Sequence, residues 1–302
     1  MITEYRLAIH CLIAVKKKGI QNEQRNQQDR QRRPRKIAPV MFAFFVMGFV
    51  DLVGTATNYV KVEFDLANGT ANLFTTMVFF WFLIFAVPTG MLMNKIGRCF
   101  KLLFSDHIVF LYFLGIVAHV GVDVGINAQA PRILTEHTGD TFTEIAATAT
   151  MVYFIARMIG CFTGGIVLSK ISNHVGILVC GIIMTASAVC FAIFCSITSN
   201  PPVALFWVAV ALVGFGNSNA FLLFLSHALM YRPERQNEIS GLMFMSLIGG
   251  AIFPPIMGAL ADAMNAQLGT IIVMAVGCLY VLVIGVGYKA IIEGKKAAQV
   301  EA

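Results

Sequence analysis

Apolar residues in this chain come in long unbroken runs separated by short polar breaks, from residue 39 to near the C-terminus. Eight such runs predict helices at 39–60, 71–93, 107–131, 146–168, 175–196, 203–230, 239–261 and 268–289. At about 1.5 Å per residue, each can cross an apolar layer about 30 Å thick. The runs are continuous and lack the apolar–polar alternation of membrane strands. Helices also satisfy their own backbone polar groups, as lipid demands. The pattern predicts an all-α, polytopic helical membrane protein with eight spans.

Composition and charge sharpen this picture. The 302 residues are 58% hydrophobic and 13% charged, whereas a soluble domain carries about 25% charge. An ordinary soluble enzyme is thereby excluded. Residues 1–38 hold ten of the 22 Lys and Arg residues. With the N-terminus inside, 19 of the 22 fall in inside segments, only Lys61 and Arg132 lie outside, and Arg157 lies within a span. That bias predicts both termini in the cytoplasm. Residues 1–38 contain the apolar stretch Leu7–Val15, too short to span, followed by a Gln- and Arg-rich run. Such a run cannot bury enough surface to fold, so a disordered cytoplasmic tail is expected there, and the net charge of +6 comes from it. Seven cysteines are an odd count, and Cys161, Cys180, Cys190, Cys195 and Cys278 lie in apolar runs, where they serve as small packing residues rather than as disulfides or zinc ligands.

An ionisable side chain inside a bilayer is costly, about 2.5–3.5 kcal/mol on insertion scales, so each one is a candidate functional group. Asp51, Asp123 and Arg157 qualify. His119, Asp123 and Asn127 are spaced i, i+4, i+8 and share one helix face, with Gln129 close by. Such a stripe lines a water-filled cavity or a helix interface. Asp123 either binds a polyhydroxylated solute or a coupling proton, or it pairs with Arg157 and locks two helices; both remove the cost of a lone charge. Asn217 and Asn219, two residues apart, point to different faces. Pro254-Pro255 should bend the seventh span. Gly121/Gly125 and Gly160/Gly164 have the spacing of close helix packing. No HExxH, GxSxG or GxxxxGK[ST] pattern is present. No catalytic activity, cofactor, metal or nucleic-acid partner is expected.

After the second run comes Gly90-Met91-Leu92-Met93-Asn94-Lys95-Ile96-Gly97-Arg98-Cys99. This segment resembles the G-x-L-x-D-R-x-G-R-[KR] loop of the major facilitator superfamily, with Asn94, Lys95 and Cys99 replacing the acid, the first arginine and the last base. A degenerate second copy lies at residues 165–174. The segments MGFVDLVGTATNYVK, WFLIFAVPTGMLMNKIGR, FLGIVAHVGVDVGINAQAPRIL, ARMIGCFTGGIVLSKI and SGLMFMSLIGGAIFPPIMGALAD resemble the fucose–proton symporter-like sugar permeases, which include glucose/galactose transporters. The resemblance implies alternating access around a central sugar site, proton-coupled symport of a monosaccharide such as fucose, glucose or galactose, and residence in a bacterial inner membrane. It implies a substrate-binding set of Asp51, Asn58, His119, Asp123, Asn127, Gln129 and Asn217. It further implies proton coupling through Asp51, Asp123 and Arg157, and a gating loop formed by Gly90, Asn94, Lys95, Gly97 and Arg98. Family helices 3 to 6 have no counterpart, so eight spans stand where the family has twelve. The expected organisation is a tail at 1–38, two N-terminal helices with the signature loop at 39–101, a six-helix half at 102–292 and a cytoplasmic tail at 293–302. A truncated, non-transporting membrane fragment is the alternative reading.

Overall fold

The computed structural model describes residues 53–93, 103–139, 142–167, 170–197 and 202–300, all within the compact unit Leu52–Ala302. Ten α-helices are delimited among the described residues: α1 Val53–Glu63, α2 Asn68–Met93, α3 His107–Thr138, α4 Phe142–Val167, α5 Asn173–Ser196, α6 Val203–Asn217, α7 Ala220–Tyr231, α8 Gln236–Met245, α9 Gly249–Met264 and α10 Leu268–Val300. No strand occurs among the described residues. Six segments there are long and apolar enough to cross a membrane: His107–Thr138, Ala147–Gly164, Asn173–Ser196, Val203–Tyr231, Pro233–Met264 and Leu268–Gly287. Only the last part of the first expected span is described, as α1.

The centre of the bundle is α3, which packs against α1, α4, α6, α7, α9 and α10. Its apolar side chains Ile116, Val122, Ile126 and Ile133 are fully buried. Glycines set the closest approaches. A methyl group on Gly121 or Gly125 would run into Phe253 or Met257 of α9, and one on Gly160 or Gly164 would meet Ser218 or Asn219 beyond α6. Both expected close-packing pairs therefore lie at helix–helix contacts.

Helix ends depart from the expected limits for local reasons. Pro131 removes only its own backbone donor, and α3 continues through it for seven residues, with the Thr135 hydroxyl donating to the Pro131 carbonyl at 2.9 Å. The helix stops instead at Gly139, whose φ of 70° is the left-handed cap conformation that glycine adopts without strain. The sixth run divides at Ser218-Asn219 into α6 and α7. In the seventh, the interruption is a 3-10 turn at Ser246–Ile248, while α9 runs unbroken through Pro254 and Pro255. Helix α2 explains that tolerance. Pro255 cannot bond to the Ala251 carbonyl four residues earlier, and the Thr76 hydroxyl donates to it at 3.0 Å. Asn72 Nδ2 donates to the Pro254 carbonyl at 2.6 Å.

Asp106 ties one end of the bundle together. Its carboxylate caps α3 by accepting from Ile108 N at 3.1 Å, and it accepts from Arg232 Nη2 at 2.7 Å and Nε at 3.1 Å. That hydrogen bond holds the Arg232 guanidinium above its usual pKa. A raised folded pKa gives stability that is complete below the unfolded value and lost only as pH rises through the folded one, here above the neutral range. Asp106→Ala should therefore cost about 2 kcal/mol, chiefly the cap, because Arg232 is partly solvated. The loss should be equal in thermal unfolding scans between about pH 6 and 9.

Candidate functional site

Asp123 lies at the middle of α3, 8% exposed. Its carboxylate is held from α4: Arg157 Nη1 donates to both oxygens at 2.7 Å, and the Tyr153 hydroxyl donates to Oδ1. Tyr153 and Arg157 are four residues apart and so present both donors on one helix face. From the end of α6, Asn217 Nδ2 lies 3.5 Å from the Tyr153 hydroxyl, and Asn217 Oδ1 pairs with His119 Nδ1. His119 is one turn from Asp123 along α3. Three helices thus join a carboxylate, a guanidinium, a phenol, an imidazole and a carboxamide into one connected polar network. The Arg157 side chain remains 26% exposed, so the network is open on the α4 side.

Chemically, this set offers an ion pair that proton transfer or a competing hydroxyl can break, surrounded by groups able both to donate and to accept. That combination suits a neutral polar solute and a proton. Among the described residues no group of three or more His, Cys, Asp or Glu side chains is placed to hold a metal. Tyr153→Phe deletes one charge-assisted hydrogen bond and should lower stability by about 1.5–3 kcal/mol, read as a drop in the unfolding midpoint of the detergent-solubilised protein.

A second polar cluster surrounds Arg132, which is 3% exposed. Nine residues separate it from Asp123, about 13.5 Å along α3 and half a turn around it. Arg132 therefore faces α1 and α2. Its Nε donates to Asn58 Oδ1 at 2.8 Å, and its Nη1 lies 3.1 Å from Asn72 Oδ1, 3.1 Å from Gln129 Oε1 and 3.3 Å from Asn68 Oδ1. Asp262 of α9 joins the same end. Its Oδ1 accepts from the Asn68 backbone at 3.2 Å and from Asn68 Nδ2 at 2.7 Å, and its Oδ2 accepts from the Gly69 backbone at 2.8 Å.

The expected site residues thus divide. His119, Asp123, Arg157 and Asn217 come together, and Asn127 is buried on the same face of α3. Gln129 and Asn58 do not join them; both belong to the Arg132 cluster. Asn217 and Asn219 separate as their spacing requires, for Asn219 Nδ2 donates to the Gly160 carbonyl at 2.8 Å. Asp51, Asn94, Lys95, Gly97 and Arg98 lie outside the described residues, and Gly90 is described only as part of α2. Tyr153 and Arg132 are missing from the expected set. Tyr153 carries a signal, its position one turn from Arg157.

The model of the Major Facilitator Superfamily matches residues 108–301. The chain belongs to that superfamily, whose members are non-enzymatic permeases, and it is a multi-pass membrane protein. Within the superfamily it is similar to the glucose/galactose transporter of Brucella abortus, 28% identical over 156 residues that make up 51% of this chain and 36% of that protein. It is 30% identical to a putative glucose/galactose transporter of Helicobacter pylori over 167 residues, 55% of this chain and 39% of that one. The chain thus spans well under half the length of these relatives. Its fold resembles the crystal structure of the transporter FucP in the outward conformation, with a TM-score of 0.56, 19% identity, and coverage of 63% of this chain and 44% of that one. A second structure, a variant of the E. coli fucose:proton symporter FucP, gives a TM-score of 0.51 at 20% identity over the same shares.

Proposed function

We propose that this protein transports a monosaccharide of the glucose, galactose or fucose type, coupled to protons, by alternating access in a bacterial inner membrane with both termini in the cytoplasm. The observation that carries the reading is the Asp123–Arg157 ion pair, set inside apolar helices and extended by Tyr153, His119 and Asn217. A lone intramembrane charge is costly, and a pair linked to hydrogen-bonding neighbours retains a proton-exchangeable carboxylate without that cost. In this reading Asp123 exchanges the proton, Arg157 stabilises the deprotonated state, and His119, Asn127 and Asn217 meet sugar hydroxyls. Asp51 supplies a second carboxylate, and the segment from Gly90 through Asn94, Lys95, Gly97 and Arg98 acts as the cytoplasmic gating loop. The names of the similar transporters support the sugar class, and the charge bias of the loops supports the orientation.

The test is uptake of labelled glucose, galactose and fucose by proteoliposomes holding the full chain under an imposed pH gradient. Accumulation that collapses with a protonophore is expected. Equal uptake with and without the gradient would remove the coupling, and none of any sugar would remove the function.

A second reading, a non-transporting membrane fragment, has its own support. Only 22% of the Ala147–Gly164 window is buried, against 67% for α3. The helix that carries Arg157 and Tyr153 therefore lacks a covering wall within the described residues. Protein that persists in the membrane without uptake would favour this reading.

A further inference from the structure

The Arg132 cluster contains more donors than acceptors. Four amide oxygens, from Asn58, Asn68, Asn72 and Gln129, surround the guanidinium. Three buried donors beside them have no partner: Arg132 Nη2, Asn58 Nδ2 and Gln129 Nε2. Their positions are related. Nε and Nη2 share one edge of the guanidinium plane, and Asn58 already places its oxygen on Nε. Its Nδ2, on the same amide carbon as that oxygen, is therefore within a few ångströms of Nε. Gln129, held through its oxygen to Nη1, keeps its own NH2 group within a few ångströms of the same guanidinium.

No acid fills these vacant acceptor positions directly. No described carboxylate forms an ion pair with Arg132; the four ion pairs found involve Arg157, Arg232 and Arg235. The charge of Asp262 acts on both Arg132 and Lys61, yet its two oxygens are engaged by Asn68 and Gly69. Lys61, at the end of α1 with Asp65 nearby, adds a further cation. Its pKa is lowered by burial and then by the charge of Arg132. A buried guanidinium ringed by neutral amides, next to three donors that lack acceptors, is short of acceptor lone pairs. One water has two lone pairs for three donors and brings two protons of its own, whereas an anion brings lone pairs alone.

We propose that Arg132, Gln129 and Asn58 form a binding site for a monovalent anionic group, a free halide or the carboxylate of an acidic sugar, at the end of the bundle where α1, α2, α3 and α9 meet. The site is separate from the Asp123 network and does not depend on whether the chain transports a sugar. Its occupant bridges Arg132 Nη2 to the two carboxamide nitrogens and ties α3 to α1.

Thermal unfolding of the purified full chain in detergent, at constant ionic strength and pH, tests this with four additives. They are potassium chloride, potassium galacturonate, galactose and, as baseline, potassium methanesulfonate. Chloride or galacturonate should raise the midpoint by about 3–6 °C at saturation, and any rise with galactose, bound at the Asp123 network, should persist in Arg132→Gln and Gln129→Glu. A rise with chloride identifies a free ion as sufficient, and a rise with galacturonate alone identifies an acidic solute. Arg132→Gln should lose the response. Gln129→Glu provides the negative charge from within, so it too should lose the response, with an additive-free midpoint at or above that of the native protein. This second variant decides the matter if Arg132→Gln does not fold. No rise with either anion, or an undiminished rise in Gln129→Glu, overturns the proposal.

Discussion

Asp123→Ala should abolish sugar accumulation and lower stability by about 1.5–3 kcal/mol, because it removes the carboxylate partner of the partly exposed Arg157 guanidinium and the acceptor of the Tyr153 hydroxyl. Stability and transport must be read separately, since a lock between α3 and α4 and a coupling site predict the same loss in this variant. The double variant Asp123→Ala/Arg157→Leu separates them. Removing both charges leaves no cation deprived of its carboxylate, and an apolar replacement for a buried pair is often neutral or better. Its unfolding midpoint should return to within a few degrees of the native value. If Asp123 carries the proton, uptake stays absent in the recovered protein. Native, proton-driven uptake by the double variant would reduce the ion pair to a lock and move the coupling site elsewhere.

How much of this was visible in the chain itself depends on what each feature rests upon. The spans follow from composition over some twenty residues, because lipid and the backbone impose the same demand on every position. Their interruptions do not. Pro254 and Pro255 announce a break, yet Thr76 and Asn72 of α2, some 180 residues away, satisfy the local carbonyls and the helix continues. The pairing of Asp123 with Arg157 is one of the two arrangements that the cost of a lone charge allows. Tyr153 is hidden because a tyrosine in an apolar run has the pattern of a packing residue. Arg132 is hidden because Pro131 marks a helix end in sequence, which places the next residue in a loop. Once α3 is seen to continue, Gln129 and Arg132 fall three residues apart on the side away from Asp123, and their pairing becomes a matter of helical geometry.

The contact most sensitive to added volume lies beside the Asp123 network. Gly249 opens α9 directly against α3, where a Cβ would meet the Val117 carbonyl oxygen and lie 2.8 Å from its carbon and 2.9 Å from its Cα. These are backbone atoms two residues from His119, so no side-chain rotation can make room. Gly249→Ala must push α9 away from α3 along a line that also carries Gly121 against Phe253 and Gly125 against Met257. Overpacking of this kind costs about 1–3 kcal/mol, with the upper end expected here because backbone must move. Gly241, in α8 of the same chain segment, meets nothing within 4 Å at its Cβ position. There the change to alanine should be neutral or should stabilise by up to about 1 kcal/mol through helix propensity. Membrane abundance and unfolding midpoint of the two variants, compared side by side, give opposite signs if the α3–α9 contact is as close as described. Equal behaviour would mean that α9 can separate from α3 freely, and the glycine line would then be a sliding surface rather than a fixed joint.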